Sequence, residues 1–310
     1  MKNYVEKLNI LIKNVEKVIV GKTETVKLVI VGLLTNGHIL IDDVPGVGKT
    51  MLSLALAKSI DGDFKRIQFT PDLLPSDVTG GFIYNPKTGD FEFRKGPVFT
   101  NILLTDEINR TTPRTQSSLL ECMQEHKVTL DGQSFPLDKP FMVIATQNPI
   151  EFQGTFPLPE AQIDRFLMKI GVGYPSIKEE IKIINEQKTT HPIETISAVL
   201  NLEEVKELQE KIKKIEISEK ILNYIVSLVS ATRKTETIKL GASPRASIAL
   251  MQTGRAWALL EGRDYVIPDD IYHLAFWVLG HRIILDPKAS MAGLTPRSII
   301  SNLLNKIPII

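Results

Sequence analysis

The chain of 310 residues contains one cysteine, Cys122, so no disulfide within the chain can brace it. A reducing compartment, the cytoplasm, is the expectation. Neither sign of charge is in surplus. Lys and Arg number 37 against 36 Asp and Glu, a net charge of +1, so no basic footprint marks a nucleic-acid binder. No apolar run is long enough to span a bilayer: the most apolar stretch is Leu28–Leu34, and no membrane span is expected. The amino-terminal Met1-Lys-Asn-Tyr-Val-Glu-Lys lacks the apolar core of a secretion signal. Internal repeats and low-complexity tracts are missing. The five histidines show no His-x-x-x-His spacing on one helix, and no Ser/His/Asp or Cys/His arrangement can be argued. They read as structural residues.

What is there is a chain 43% hydrophobic, enough for about two domains with ample core. Its most informative segment is His38-Ile-Leu-Ile-Asp-Asp-Val-Pro-Gly-Val-Gly-Lys-Thr50. It reads as a buried strand, a glycine loop and then an apolar helix from Met51. Glycines let backbone N–H groups turn toward an anion, and the helix N-terminus adds its positive dipole end. Lys49 is expected to reach β- and γ-phosphates, and Thr50 to place its hydroxyl on Mg²⁺. The nucleotide-holding residues are then Pro45, Gly46, Val47, Gly48, Lys49, Thr50 and Met51. One departure from the usual G-x-x-x-x-G-K-[ST] pattern stands out: Asp43 occupies the first glycine position.

Apolar periodicity predicts helices over 3–19 and 23–35, and strands over 38–42, 64–69, 101–105, 141–146 and 166–172. Helices fit between strands at 49–60 and 113–125, which suggests a mostly parallel, doubly wound α/β sheet. Two inserts alternate apolar and polar residues around turns, and read as β-hairpins at 81–94 and 127–137. In the first, Phe82, Tyr84, Phe91 and Phe93 fit cross-strand pairs or a protein contact surface better than base stacking. Beyond Tyr174-Pro175 the pattern changes to helices over 177–187, 202–213, 219–234, 245–261 and 268–284. A core domain of residues 1–175 and an all-helical second domain of 176–310 are expected, with a connecting segment near 188–200.

Asn101-Ile-Leu-Leu-Thr-Asp-Glu107 places two carboxylates at the carboxyl edge of a sheet, where open α/β folds bind ligands. Asp106 is expected to hold Mg²⁺ and Glu107 to orient and deprotonate an attacking water. Asn148, ending the strand from Phe141, reads by itself as a turn former before Pro149, and at this sheet edge also fits a contact with the γ-phosphate or the attacking water. Arg165 fits charge stabilisation on a transferring phosphoryl group, from its own or a neighbouring subunit, or a surface pair with Asp164. Arg245 follows the N-cap Ser243 and Pro244. A cation in a first helical turn is disfavoured unless it meets an anion, either a phosphate or a carboxylate.

The ordered set of motifs resembles an AAA+ ATPase, and closely the MoxR family. It comprises Gly37-His-Ile-Leu, Val44-Pro-Gly-Val-Gly-Lys-Thr50, Gln68-Phe-Thr-Pro-Asp-Leu-Leu-Pro-Ser-Asp77, Asp106-Glu-Ile-Asn-Arg110, Thr115-Gln116, Met123-Gln-Glu125, Ala145-Thr-Gln-Asn-Pro149, the run Gly154–Phe166, and Gly241-Ala-Ser-Pro-Arg-Ala246. The resemblance runs from Val20 to about Asp286. It implies that Lys49 and Thr50 are Walker A residues, Asp106 and Glu107 Walker B, Asn148 sensor 1, Arg165 an arginine finger acting in trans, and Arg245 sensor 2. It implies ATP and Mg²⁺ as cofactors, with Val20 and Gly21 at the adenine, where Lys22 replaces the glutamine often found next. The hairpins resemble the helix-2 insert and the pre-sensor-1 hairpin, and the C-terminal part a helical lid. Members of such a family assemble as hexameric rings and remodel or activate client proteins, often with a von Willebrand factor A domain partner. An AAA+ nucleic-acid motor, a metal-chelatase ATPase subunit and a non-hydrolysing scaffold are the alternatives.

Overall fold

The computed structural model describes residues 1–148, 154–188 and 191–309. Pro149 of the motif after Asn148, and residues 189–190 of the expected connecting segment, lie outside them. At the centre is a five-stranded parallel sheet built from β1 (Ile39–Asp42), β2 (Phe64–Gln68), β5 (Ile102–Asp106), β8 (Met142–Gln147) and β9 (Met168–Ile170), in the order β2-β5-β8-β1-β9. The three inner strands are the most apolar in sequence because both of their faces are covered. Alternate residues go to opposite faces, as the two-residue period of a strand requires. Ile39, Ile41, Ile102, Leu104, Met142 and Ile144 join one core, while Leu40, Leu103, Val143 and Ala145 join the other.

β2 differs. It is an edge strand in which Lys65, Arg66 and Gln68 are exposed, so only Ile67 is fully buried. The register sets Gln68 beside Asp106, and Asp42 beside Gln147, so these residues end their strands on one carboxyl edge.

On one face lie the helices Lys2–Glu16, Thr23–Leu34 and Lys49–Ser59, whose apolar sides share a continuous core with the C-terminal helices. The helix Pro113–Glu125 covers the other face, through Leu119, Leu120 and Met123. Proline at its first position presets the helical φ where no N–H is needed, which explains why that start was readable from sequence.

Both hairpins form. β3 (Gly80–Asn85) pairs with β4 (Asp90–Lys95), and β6 (Lys127–Leu130) with β7 (Gln133–Pro136). Phe82 faces Phe93 and Tyr84 faces Phe91 across the first hairpin, and Phe93 stacks on Phe135 of the second at 4.0 Å between ring centres. The aromatics are thus cross-strand pairs that also tie the two hairpins together.

The C-terminal region contains the helices Ile177–Glu186, Leu202–Lys213, Glu219–Lys234, Pro244–Leu260, Pro268–Leu279 and Pro296–Lys306. Among its described residues, the helices are joined by a two-stranded ladder, β10 (Ile238–Leu240) with β11 (Ile284–Leu285), and by an isolated bridge between Glu216 and Tyr265. The helix expected over 268–284 therefore stops at Leu279, before Gly280, and its last residues turn into that ladder. The helix Pro296–Lys306, opened by a Thr295–Ser298 capping box, was not anticipated. The strand expected over 166–172 is confined to Met168–Ile170. Arg282 engages the carbonyls of Phe166 and Leu167, and Asp43 takes the N–H of Val172, so the flanking backbone groups serve other partners than the sheet. The described part of the segment near 188–200 carries a short helix, Pro192–Thr195, and the N–H groups of Val199 and Leu200 both donate to the Ser59 carbonyl. That bonding fastens it to the core. Among the described residues, no helix is long and apolar enough to cross a membrane.

Candidate nucleotide site

The loop after β1 reverses direction through Gly46 (φ 86°) and Gly48 (φ 89°) and feeds straight into the helix Lys49–Ser59. Gly48, in the left-handed region, is the residue before the first helical position. A side chain there would be strained, so the amides can curl inward only because it is glycine. At this helix N-terminus opens a cavity of about 340 Å³, lined by Pro45, Gly46, Gly48, Lys49, Thr50, Met51, Arg66, Gln68, Asp106, Glu107, Thr146 and Asn148. The fold thus brings the glycine loop, the acidic pair and Asn148 to one place. Val47 packs instead against the core.

Lys49 Nζ donates to the carbonyl of Asp43 at 2.7 Å. Burial lowers its pKa from the ordinary lysine value, while Asp43, Asp106, Asp42 and Glu107 work in the opposite direction. An ammonium at the first position of a helix can exchange its carbonyl acceptor for an incoming anion.

The acidic pair is held on several sides. Thr146, buried on β8, donates its Oγ1–H to Asp106 Oδ1 at 3.1 Å, and Thr146 Oγ1 in turn accepts the Glu107 N–H at 3.0 Å. Arg66 Nε donates to the other oxygen, Asp106 Oδ2, at 2.6 Å. Gln68 Nε2 and Arg110 Nη1 donate to Glu107 Oε2 at 2.6 and 3.1 Å. Glu107 itself sits at φ 55°, ψ 51°, a left-handed conformation uncommon for a residue with a side chain. Such outliers persist only where surrounding bonds fix them.

Asp106 and Thr50 supply a carboxylate and a hydroxyl to one cavity, hard oxygen donors of the kind Mg²⁺ takes. Asp106 Oδ2 already neutralises a guanidinium, which shows that the position suits a cation. The residues fit the ion.

Arg165 and Arg245 are not among the residues lining this cavity. They line a second one, of about 470 Å³, with Lys213, Arg282, His38 and His126. Arg245 lies 3.9 Å from Asp164, beside Arg165, and Ser243 Oγ donates to the same carboxylate at 2.8 Å. Arg282 braces this segment. Its buried guanidinium binds Asp164 Oδ1 at 2.7 Å and the carbonyls of Phe166 and Leu167 at 2.6 and 3.0 Å. Burial lowers its pKa from the ordinary arginine value, and the Asp164 bond offsets this. Val20 is buried, and Gly21 (φ 75°) meets the Glu179 carboxyl so closely that a Cβ would collide with it; neither is among the residues lining the first cavity.

Sequence reasoning gave no role to Gln68, Arg110 and Thr146, which it met only inside motifs, and passed over Arg66 and Arg282. For Arg282 a signal existed, a cation set directly before the apolar Ile283-Ile-Leu285. Arg110 is a local neighbour, three residues after Glu107, whereas for Arg66, Gln68 and Thr146 the strand order had to be known first.

A glycine loop at the carboxyl edge of a parallel sheet, with an acidic pair at the same edge two strands away across β8, defines a P-loop nucleotide-binding protein of the α/β class. Comparison with known proteins narrows this. The profile of the ATPase family associated with various cellular activities (AAA) matches residues 38–168, and that of the AAA lid domain matches 230–303. The uncharacterized protein YeaC of Bacillus subtilis is 52% identical over 300 residues, covering 96% of this chain and 94% of that protein. Chaperone MoxR1 of Mycobacterium tuberculosis is 43% identical over 302 residues, covering 94% and 80% respectively. A crystal structure from Cytophaga hutchinsonii, described as a candidate ATPase, superposes with a TM-score of 0.93 at 44% identity, over 99% of this chain and 96% of that one. The chain belongs to the MoxR family of AAA+ ATPases.

Proposed function

We propose that this protein hydrolyses ATP and uses the cycle to remodel or activate client protein complexes. The observation that carries the reading is the single cavity in which the loop Pro45–Met51, Asp106, Glu107 and Asn148 converge. In this scheme the loop amides and Lys49 bind the triphosphate, while Val20 and Gly21 flank the base. Thr50 and Asp106 hold Mg²⁺, which when bound neutralises charge on the phosphate oxygens. Glu107 orients the attacking water and takes its proton. Thr146 keeps the Glu107 main chain in its strained turn, and release from Gln68 and Arg110 frees its carboxylate for that task. Asn148, buried at the end of β8, bonds the γ-phosphate or the water.

The first cavity is lined by neither Arg165 nor Arg245, which line the second together. That separation supports a site completed by a second copy of the chain, as in a hexameric ring, with Arg165 reaching a neighbour's phosphates and Arg245 alongside it. Residues 1–175 act as the nucleotide-binding core and 176–310 as the lid that hydrolysis displaces. The β3–β4 hairpin exposes Ile83, Tyr84 and Phe91 at its outer end, an apolar tip suited to meeting a client. A von Willebrand factor A domain protein is the expected partner. The cytoplasm is the proposed location; the lone Cys122 is buried and its thiol is pushed up to about 12 by that burial, so it serves packing, not redox chemistry.

The test is a mixing experiment. Glu107→Gln should bind ATP but lose turnover by about 10²–10⁴-fold, the usual contribution of a positioned base. Arg165→Ala should be inactive alone and regain phosphate release when mixed with Glu107→Gln subunits. Turnover unchanged in Glu107→Gln, or no recovery in mixtures, contradicts the shared-site scheme.

A further inference from the structure

Two positions depart from the pattern the chain otherwise resembles, Lys22 beside the expected adenine segment and Asp43 at the start of the phosphate loop. Both side chains bond the same short stretch of backbone. Asp43 Oδ2 accepts the N–H groups of Val172 and Gly173 at 2.7 and 2.6 Å, and its other oxygen accepts the Val44 N–H at 2.8 Å. Lys22 Nζ donates to the carbonyl of Tyr174 at 2.8 Å. Residues 172–174 lie between the last strand of the sheet, β9, and Ser176, the N-cap of the helix Ile177–Glu186. Glu179 of that helix completes a capping box with Ser176 and sits against Gly21. Three consecutive linker residues are therefore fastened by side chains from the two ends of the candidate nucleotide site.

The fastening reaches the phosphate end through one residue. The Asp43 carbonyl is the acceptor for Lys49 Nζ, and the Asp43 carboxylate is the acceptor for the linker. When the ammonium of Lys49 turns to a phosphate, its bond to Asp43 is exchanged, and the residue that feels the exchange is the one holding Val172 and Gly173. We infer that Asp43 and Lys22 are positioning residues that set the lid linker against the nucleotide site and pass the state of that site to the helix Ile177–Glu186. Neither residue needs to touch the reacting atoms. The inference rests on the nucleotide reading above, and the two can fail separately.

Amide hydrogen exchange on the full chain tests it. In protein without nucleotide, Asp43→Gly should speed exchange at Val172 and Gly173 by about tenfold or more, because each loses a charged acceptor. Asp43→Asn, which keeps an acceptor oxygen, should have a smaller effect. Magnesium–ADP added to the wild type should alter exchange across residues 172–186. In Lys22→Gln/Asp43→Gly that response should shrink by about half or more, while calorimetry with the same nucleotide still shows binding. Unchanged exchange at Val172 and Gly173 in Asp43→Gly overturns the latch. A full nucleotide response in the double variant overturns the coupling. Failure of the wild type to bind magnesium–ADP, with the exchange effect of Asp43→Gly intact, removes the nucleotide reading and the coupling with it.

Discussion

Thr146→Val removes one oxygen and tests whether β8 holds the acidic pair in place. Thr146 is 2% exposed, and its hydroxyl serves two partners at once, donating to Asp106 and accepting from the Glu107 main chain. A hydrogen bond to a charged group contributes about 1.5–3 kcal/mol, and a buried N–H left without a partner costs about 1–3 kcal/mol. These overlap, because both follow from the same lost hydroxyl, so the expected loss of stability is about 2–4 kcal/mol. Valine keeps the shape, so little of that loss can be assigned to packing. Denaturant unfolding of Thr146→Val against Thr146→Ser measures it. Serine keeps both bonds and should stay within about 1.5 kcal/mol of the wild type, as expected for a lost methyl. Turnover should fall in Thr146→Val more than nucleotide affinity does, because Glu107 is freed from its left-handed turn while the loop is untouched. A Thr146→Val protein within about 0.5 kcal/mol of the wild type, or one less stable but equally active, would refute this account of how Glu107 is held.

The other predictions concern charge. His38 is buried with both ring nitrogens engaged, Nε2 with the Met123 carbonyl at 2.9 Å and Nδ1 accepting the Val143 N–H at 3.0 Å. Burial pushes its pKa down to about 4. The unfolded chain takes up that proton at a higher pH than the folded one, so the His38 contribution is complete above about pH 6.5. It is lost as pH falls from there toward 4, by roughly 3 kcal/mol in all. Burial also lowers the pKa of His281 and His126, so unfolding measured across that window should lose part of its slope in His38→Gln; an unaltered slope would assign it to other groups. Arg66 is half exposed, so breaking its pair with Asp106 should cost under about 1 kcal/mol of stability. Arg66→Ala should nonetheless lower the Mg²⁺ needed for half-maximal nucleotide binding by about two- to fivefold, because the guanidinium occupies the carboxylate that would hold the ion. A raised requirement in a magnesium titration would show that Arg66 assists the ion.

The parts of the fold that could be read from sequence are those with local causes. The glycine loop needs its strand before it and its helix after it. The hairpins need alternation around a turn, and the helix Pro113–Glu125 begins at a proline. Asp106 and Glu107 were legible only beside the glycine loop, because an apolar strand ending in two acids reads equally, by itself, as a solvated acidic turn. What stayed hidden depends on neighbours distant in sequence. Arg66 and Gln68 look like surface residues of an edge strand until β2 is placed beside β5, where the register sets Gln68 against Asp106. Thr146 gains its role from the pairing of β8 with β5. Arg165 and Arg245 were found from motifs, but spacing could not show that they would stand together, away from the loop, around the Asp164 that Arg282 anchors. The same non-local logic ended the helix after Leu279, where Arg282 turns into the core and Ile284–Leu285 pairs with Ile238–Leu240.

The central claim is that the cavity at the N-terminus of the helix Lys49–Ser59 binds a nucleotide triphosphate. Calorimetric titration of magnesium–ATP into the folded wild type and into Lys49→Ala tests it most directly. The account predicts saturable binding of about one nucleotide per chain in the wild type, and loss of that binding in a Lys49→Ala protein that remains folded by circular dichroism. No binding heat from the folded wild type, or equal affinity in the two proteins, would contradict it.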